Sequence, residues 1–281
     1  MTCGQRWNET CLVSTLLEIA HCGHRASTPL GQCMNLAPSG SGTRTLFHAL
    51  LPHSKLARHD HLRTIERVVG ERNASSCFVI TLREPVERIE AGFHDTHGGP
   101  CVVNEIVKSC RIDDVAANWT LKARTKPCHQ REDFLGRTRR ESGSTLVFSM
   151  PTLYYLLGNE CPAARHEIHL LCTKTLTDDL SGLFSRFGAQ KDTEVVSVYS
   201  QLGNPAENKT QAQLSVLNRT TIHDQALRDW VNFVMFPADT ALYQVFCTGS
   251  RDGRDEGRVG RIVDAVSRRG AELVARNLAI A

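Results

Sequence analysis

The chain has 281 residues, of which 41% are hydrophobic and 22% are charged, as in globular proteins with one large domain or two small ones. Its formal net charge of +3 gives no indication of a nucleic-acid partner, and none is expected. The chain has eleven cysteines but no C-x-x-C pair, which excludes zinc-ribbon spacing, and no metal site is predicted. The apolar stretch 11–20 contains a glutamate and is too short to span a bilayer, so no membrane segment is predicted.

Asparagine sequons indicate the compartment. Five Asn-x-Ser/Thr sequons occur where chance would give roughly two. They begin at Asn8, Asn73, Asn118, Asn208 and Asn218. This excess favours the lumen of the secretory pathway, where cysteines pair. We expect pairing within Cys101, Cys110 and Cys128, and the odd total leaves at least one thiol free or paired between chains.

Strands and helices alternate along the first part of the chain. Residues 1–32 contain no clear element. Strands are predicted at 33–37, 54–61 and 77–82, and helices at 46–51, 62–71 and 86–93. The segment 96–145 is long and polar, and its part 122–140 carries a local excess of five positive charges.

The second part continues the alternation. A strand is predicted at 167–172, followed by a helix at 176–187 that Gly188 ends. A helix interrupted at Pro237 covers 224–247, a linker covers 251–258 and an amphipathic helix covers 260–281. The alternation predicts an α/β three-layer fold, with a central parallel sheet flanked by helices.

A loop rich in glycine, serine and threonine precedes the helix at 46–51. Consecutive backbone N–H groups of such a loop, at the start of a helix, bind phosphate or sulfate. A Walker A loop requires lysine after its last glycine, but Thr43 and Arg44 follow Gly42 here. This difference argues against a nucleotide or small-molecule kinase, which stays open as an alternative.

A second motif follows the strand at 77–82. The strand ends at Arg83, and Pro85 then begins a helix. Arginine binds phosphate through paired hydrogen bonds. Together, the loop and Arg83 predict a nucleotide held at the carboxyl ends of parallel strands, in a P-loop-like fold.

These segments resemble those of sulfotransferases that use 3′-phosphoadenosine 5′-phosphosulfate (PAPS). Gly42-Thr43-Arg44-Thr45-Leu46 is similar to their 5′-phosphosulfate loop, and Arg83-Glu84-Pro85-Val86-Glu87-Arg88 to their R-[DE]-P-x-x-R motif for the 3′-phosphate. Segments 150–158 and 236–243 resemble Golgi carbohydrate sulfotransferases. The resemblance implies a sulfotransferase-like domain at 33–248, between an unassigned segment 1–32 and a basic linker and helix at 249–281.

The resemblance also implies which residues bind PAPS. These are Ser39, Gly40, Ser41, Gly42, Thr43, Arg44, Thr45 and Arg83. Arg88 has two interpretations, as a ligand contact or as a structural ion pair with Glu84 or Glu87.

Two positions depart from the family pattern. Gly40 stands where a lysine usually helps the leaving oxygen, and Arg44 is the candidate substitute cation. Ala91 stands where a serine usually shares the 3′-phosphate.

The implied reaction transfers a sulfuryl group from PAPS to a carbohydrate hydroxyl and releases adenosine 3′,5′-bisphosphate (PAP), in the Golgi lumen and without a metal. His59 or His61 is the expected general base, with Asp60 as an alternative. Segment 122–140 is either a contact for an anionic glycan or a solvated insertion. The alternative function is a catalytically impaired relative that binds PAP or a glycan.

Overall fold

The computed structural model describes residues 8–22, 29–35, 77–94, 167–188, 225–249 and 255–278. Its sheet has three parallel strands, β1 (Met34–Asn35), β2 (Cys77–Leu82) and β3 (Glu167–Cys172), in the order β1-β2-β3. Helices pack on both faces of this sheet. The described part of the chain is therefore an α/β structure, as the sequence predicts.

The strand predictions at 77–82 and 167–172 are confirmed. All six residues of β2 are buried, so its sequence is a continuous apolar run rather than an alternating one. The prediction at 33–37 is confirmed in part, because β1 covers two residues of it. Four predicted segments lie outside the described residues, namely the strand at 54–61, the helices at 46–51 and 62–71, and the polar segment 96–145.

Of the described helices, one precedes the first strand, one lies between β2 and β3, and the others follow β3. In chain order they are α1 (Glu9–Cys22), α2 (Pro85–His94), α3 (Leu176–Arg186), α4 (Gln225–Asp229), α5 (Pro237–Cys247) and α6 (Glu256–Leu278). A π-helical turn, Trp230–Met235, joins α4 to α5, and short 3₁₀ turns lie at Leu30–Gln32 and Thr173–Thr175. None of the described helices has the length and hydropathy needed to cross a bilayer.

One face of the sheet is covered by α1, α5 and α6. Phe78 and Ile80 of β2 point into this layer and are fully buried. Helix α6 contributes Val259, Val263 and Val266, whose spacing places them on one side of the helix. The carboxyl-terminal helix is therefore part of the hydrophobic core.

Helix α3 covers the opposite face. Cys77 and Val79 alternate along β2 with Phe78 and Ile80 and therefore point to this opposite face. There they pack against Leu180, Leu183 and Phe184 of α3. The two faces of β2 thus meet two separate hydrophobic clusters. This arrangement places the carboxyl ends of β2 and β3 between helices on either side.

Helix α1 was not predicted by the sequence analysis. The side-chain oxygen of Asn8 accepts hydrogen bonds from the backbone N–H groups of Thr10 and Cys11, which caps the helix. Leu12, Leu16 and Ile19 follow at helical spacing and are buried. The cap and the spacing are both readable from the sequence and would have identified this helix.

The prediction for 224–247 is confirmed, because Pro237 begins α5 after the π-helical turn. Helix α6 begins four residues earlier than predicted. The side chain of Asp255 accepts the N–H of Arg258 at 3.0 Å and caps the first turn, so 256–258 is helix instead of linker.

Two disulfides join distant parts of the described chain. Cys33–Cys77 links β2 to the residue before β1, and Cys172–Cys247 links the end of β3 to the end of α5. Their presence fits a protein of a secreted or lumenal compartment. The predicted group Cys101, Cys110 and Cys128 lies outside the described residues.

Gly270 allows α6 to approach the π-helical turn. A Cβ at this position would collide with the backbone carbonyl oxygen of Phe233. We expect Gly270→Ala to lower the free energy of unfolding by about 1–3 kcal/mol, measured by urea denaturation. Gly260→Ala is the matched control, since nothing lies within 4 Å of its added Cβ. It should raise stability by about 0.5–1 kcal/mol. Equal effects of the two substitutions would contradict the proposed close approach.

Candidate functional site

Only one of the predicted site residues lies in the described part of the chain, namely Arg83. The predicted phosphosulfate loop, the candidate cation Arg44 and the candidate bases His59 and His61 lie outside it. So do Asp60 and the basic segment 122–140. The geometry of the candidate site is therefore built from Arg83 and its neighbours.

Arg83 lies at the carboxyl end of β2. The parallel register pairs Leu82 with Cys172, so the residues after the two strands emerge side by side at one edge of the sheet. Arg83 follows β2, and Lys174 follows β3 in a 3₁₀ turn. Two basic side chains thus flank the edge where parallel α/β sheets bind ligands.

Two carboxylates of the Arg-Glu-Pro-Val-Glu-Arg segment lie between these cations. Lys174 Nζ is 3.0 Å from Glu87 Oε1 and 3.7 Å from Glu84 Oε2. Arg83 Nε is 3.9 Å from the second oxygen of Glu87. The side chain of Lys174 is 58% exposed, so an anion from solvent can reach its ammonium group without any rearrangement of the core.

Asn232 holds the start of α2 in place. Its side-chain oxygen accepts the N–H of Val86 at 3.2 Å, and its amide nitrogen donates to Glu84 Oε1 at 2.8 Å. The backbone carbonyl of Asn232 in turn accepts the hydroxyl of Thr240. The Val86 amide is therefore already hydrogen-bonded within the fold.

Arg88 is a structural residue. Its Nη1 lies 3.2 Å from Asp239 Oδ2, and both side chains are almost completely buried. The guanidinium also lies 5.1 Å from the ring centroid of Phe236. Of the two interpretations of Arg88, the ion pair is the observed one. Its partner is Asp239 on α5 and not Glu84 or Glu87, because Arg88 points away from the edge that Glu87 faces.

The turn after β3 is fixed by Asp179 of α3. One carboxylate oxygen accepts the backbone N–H of Cys172 at 2.7 Å and the hydroxyl of Thr175 at 3.1 Å. These bonds satisfy an amide at the end of the strand and hold both sides of the turn that carries Lys174.

Tyr243 of α5 completes the cluster. Lys174 Nζ lies 5.8 Å from the centroid of its ring, within cation–π range. Burial raises the pKa of the Tyr243 hydroxyl, although Lys174 acts in the opposite direction. The phenol therefore stays protonated at neutral pH and presents a hydrogen-bond donor beside the ammonium group.

The charges of Arg83 and Lys174 respond differently to their surroundings. Burial lowers the pKa of Arg83, and the nearby carboxylates of Glu87 and Glu90 offset only part of that effect. For Lys174, burial lowers the pKa, but the hydrogen bond and charge of Glu87 outweigh it and the net shift is upward. A partly desolvated guanidinium gains from a nearby anion, and here the carboxylates of Glu87 and Glu90 supply negative charge.

The ion pair of Lys174 gives a pH-dependent prediction. Since its folded pKa lies above the unfolded value of 10.5, the pair contributes fully below that pH and its contribution is lost as pH rises through the folded pKa. We expect Glu87→Gln to lower the free energy of unfolding at neutral pH by under about 1 kcal/mol, because the lysine is exposed. Urea denaturation at several pH values should show this difference shrinking above about pH 10.5.

Glu272→Gln is the matched control for this titration. Glu272 Oε2 lies 3.5 Å from Arg269 Nη1, and arginine keeps its charge in this range. The change in unfolding free energy caused by Glu272→Gln should stay constant over the pH range in which the change caused by Glu87→Gln declines. A decline of equal size in both variants would contradict the role of Lys174.

Sequence reasoning missed Lys174 and Asn232 as parts of this site. Their sequence separation from Arg83 is large, and no local motif contains them. Asp239 and Tyr243 do lie in segment 236–243, which resembles Golgi carbohydrate sulfotransferases. They are four residues apart on α5 and so share one side of that helix, where Asp239 contacts Arg88 and Tyr243 contacts Lys174. That segment was a readable signal for both residues.

Comparisons of the chain with protein-family models, with curated proteins and with solved structures found no match.

Proposed function

We propose that this protein is a PAPS-dependent sulfotransferase with a P-loop-like fold, which transfers a sulfuryl group to a carbohydrate hydroxyl in the Golgi lumen. The observation that carries the proposal is the position of Arg83. It ends a buried parallel strand beside the start of α2, with Lys174 on the adjacent strand connection. This placement is what a residue for a nucleotide phosphate requires.

The described residues fit a phosphate group. Arg83 is partly desolvated, and Lys174 and the Tyr243 hydroxyl add a second charge and a donor at the same edge. Arg83 would hold the 3′-phosphate of PAPS, and the loop Ser39–Thr45 would hold the phosphosulfate. His59 or His61 would take the proton of the acceptor hydroxyl.

Binding of PAP tests this proposal directly. At about 100 times its Kd, PAP should stabilise the wild type by roughly 2.7 kcal/mol, which corresponds to roughly 5–10 °C in Tm. Arg83→Ala should lose most of this shift, because it removes the charge-assisted contact with the 3′-phosphate. Thermal unfolding followed by circular dichroism measures both.

Two controls test whether Arg83 contacts the 3′-phosphate of PAP, rather than contributing only a general positive charge. Adenosine 5′-monophosphate lacks the 3′-phosphate, so Arg83→Ala should change its smaller shift very little. Arg268→Ala removes an exposed arginine of α6 that pairs with Asp264, and it should respond to PAP like the wild type. An unchanged PAP shift in Arg83→Ala would reject the role of Arg83, and no shift in folded wild type would reject the PAPS site.

A second candidate function is a catalytically impaired relative that binds PAP or a glycan. Two residues favour it: Gly40 replaces the loop lysine, and Ala91 of α2 replaces the serine expected to share the 3′-phosphate. Transfer of labelled sulfate from PAPS to a panel of glycans, with His59→Ala/His61→Ala as the inactive control, distinguishes the two. Transfer by the wild type favours the enzyme, whereas PAP binding without transfer favours the impaired relative.

A further inference from the structure

Three side chains of metal-ligand type, those of Cys77, Glu167 and His169, meet near the amino end of the sheet, opposite the edge that carries Arg83, and Cys33 is bonded to the first of them. Cys33 precedes β1 and lies beside Cys77, because Met34 pairs with Phe78. Cys77 pairs with Glu167 across β2 and β3. His169 follows two residues later on the same face of β3. The strand register thus brings four distant residues of the sequence together.

These groups are close and shielded from water. Ligand atoms of Cys77, Glu167 and His169 all lie within 4.8 Å of one another, and Cys33 is joined to Cys77 by a disulfide. Cys33 and Cys77 are fully buried, and His169 and Glu167 are 1% and 7% exposed. The edge of the His169 ring faces Phe187, with centroids 5.1 Å apart. The cluster is therefore preorganised in a dry part of the core.

We propose that the reduced chain binds one Zn²⁺ through Cys33, Cys77, His169 and Glu167, and that this metal site and the Cys33–Cys77 disulfide are mutually exclusive. Disulfide sulfurs are poor ligands, whereas thiolates bind zinc strongly. Two cysteines, one histidine and one carboxylate supply the four ligands of a tetrahedral site. Its net charge of −1 equals that of a Cys₃His site.

The reaction balances with a named reductant. A phosphine gives two electrons to the disulfide and is oxidised to its oxide with oxygen from water, while each sulfur gains a proton. Zn²⁺ then displaces these two protons. His169 Nε2 lies 2.8 Å from Glu167 Oε1. These two atoms share a proton in the absence of metal. When Zn²⁺ binds, the neutral imidazole of His169 carries its proton on Nδ1 instead. The Nε2 lone pair and the Glu167 carboxylate can then both face the ion.

Electrostatics favour the metal once the disulfide is reduced. Ionising two buried thiols beside the buried carboxylate of Glu167 places like charges in a medium of low polarity, which is costly. A divalent cation offsets that charge. The other described disulfide provides a contrast, since among the described residues Cys172 and Cys247 belong to no comparable group of three ligand atoms.

Titration with Co²⁺, as a spectroscopic substitute for Zn²⁺, tests the proposal on the full chain. After reduction with a phosphine, the wild type should show thiolate-to-cobalt charge transfer and the visible bands of a tetrahedral site, which Zn²⁺ abolishes. His169→Gln keeps a hydrogen-bonding group near Glu167 but removes the metal ligand, so it should bind one equivalent of Co²⁺ fewer than the reduced wild type. Cys33→Ser/Cys77→Ser should lose the same equivalent, and Cys172→Ser/Cys247→Ser should retain it.

Stability provides a second readout that does not depend on other cysteines. Zn²⁺ should raise the Tm of the reduced wild type relative to a chelator, and it should leave reduced His169→Gln unchanged. If His169→Gln does not fold after reduction, Glu167→Gln replaces it and should bind Co²⁺ more weakly with an altered visible spectrum. Equal stoichiometry and spectra in wild type and ligand variants, or equal binding by the oxidised wild type, would overturn the proposal.

Discussion

Replacing Asp239 by alanine is expected to lower the free energy of unfolding by about 3–5 kcal/mol. The carboxylate lies 3.2 Å from Arg88 Nη1, and the two side chains are 3% and 1% exposed. Removing it takes away a buried counter-ion of the guanidinium. The Phe236 ring beside Arg88 offers a cation–π contact, which is much weaker than the lost ion pair. Urea denaturation followed by circular dichroism measures the change.

Two controls test whether the loss comes from the uncompensated charge. Replacing both partners, as Arg88→Met with Asp239→Leu, removes both charges and should recover most of the stability, because buried pairs often tolerate apolar substitution. Asp264→Ala breaks an exposed pair with Arg268 and should cost less than about 1 kcal/mol. If Asp239→Ala costs as little as Asp264→Ala, then Arg88 finds water or another partner.

The Cys172–Cys247 disulfide is expected to contribute about 2–4 kcal/mol to stability. It closes a loop across a sequence separation of 75 residues, and this restricts the unfolded chain. Cys172→Ala/Cys247→Ala should therefore unfold at lower urea concentration, and mass spectrometry of non-reduced peptides should confirm that only this bridge is absent. The loss also frees the end of β3, two residues before Lys174, from the end of α5.

The other described bridge is the natural comparison. Cys33–Cys77 has a sequence separation of 44, so loop-closure entropy predicts an effect about 0.5 kcal/mol smaller for Cys33→Ala/Cys77→Ala. This pair lies in a more deeply buried cluster, and cavity formation adds to its loss. A negligible effect of Cys172→Ala/Cys247→Ala would mean that the reduced, unfolded chain is already compact near this loop.

Local signals were enough to predict much of the described fold. The mostly apolar sequences of β2 and β3 are typical of buried parallel strands, although β3 also contains the buried residues Glu167 and His169. Pro85 and Pro237 mark helix starts. Gly188 has φ 61°, the left-handed conformation that ends α3 where the sequence predicts it. Each of these elements is specified within a few residues.

The surroundings of Arg83 and Arg88 could not be predicted in the same way. The sequence left Arg88 either as a ligand contact or in an ion pair with nearby Glu84 or Glu87, since only local partners are visible in it. Its actual partner is 151 positions away on α5, where the π-helical turn brings Asp239 under α2. Lys174 approaches Glu87 only because β2 and β3 pair in a particular register. Long-range packing determines such contacts.

The packing of α1 against α6 also determines when the protein can fold. Leu12, Leu16 and Ile19 share one hydrophobic cluster with Val259, Val263 and Val266, to which the sheet and α5 also contribute. The part of α1 that packs on α6 therefore has no cover until α6 has been synthesised, more than two hundred residues later. Contacts of such long sequence separation slow folding and favour aggregation of incomplete chains. Closure of this layer therefore requires α6 as well as the three strands of the sheet.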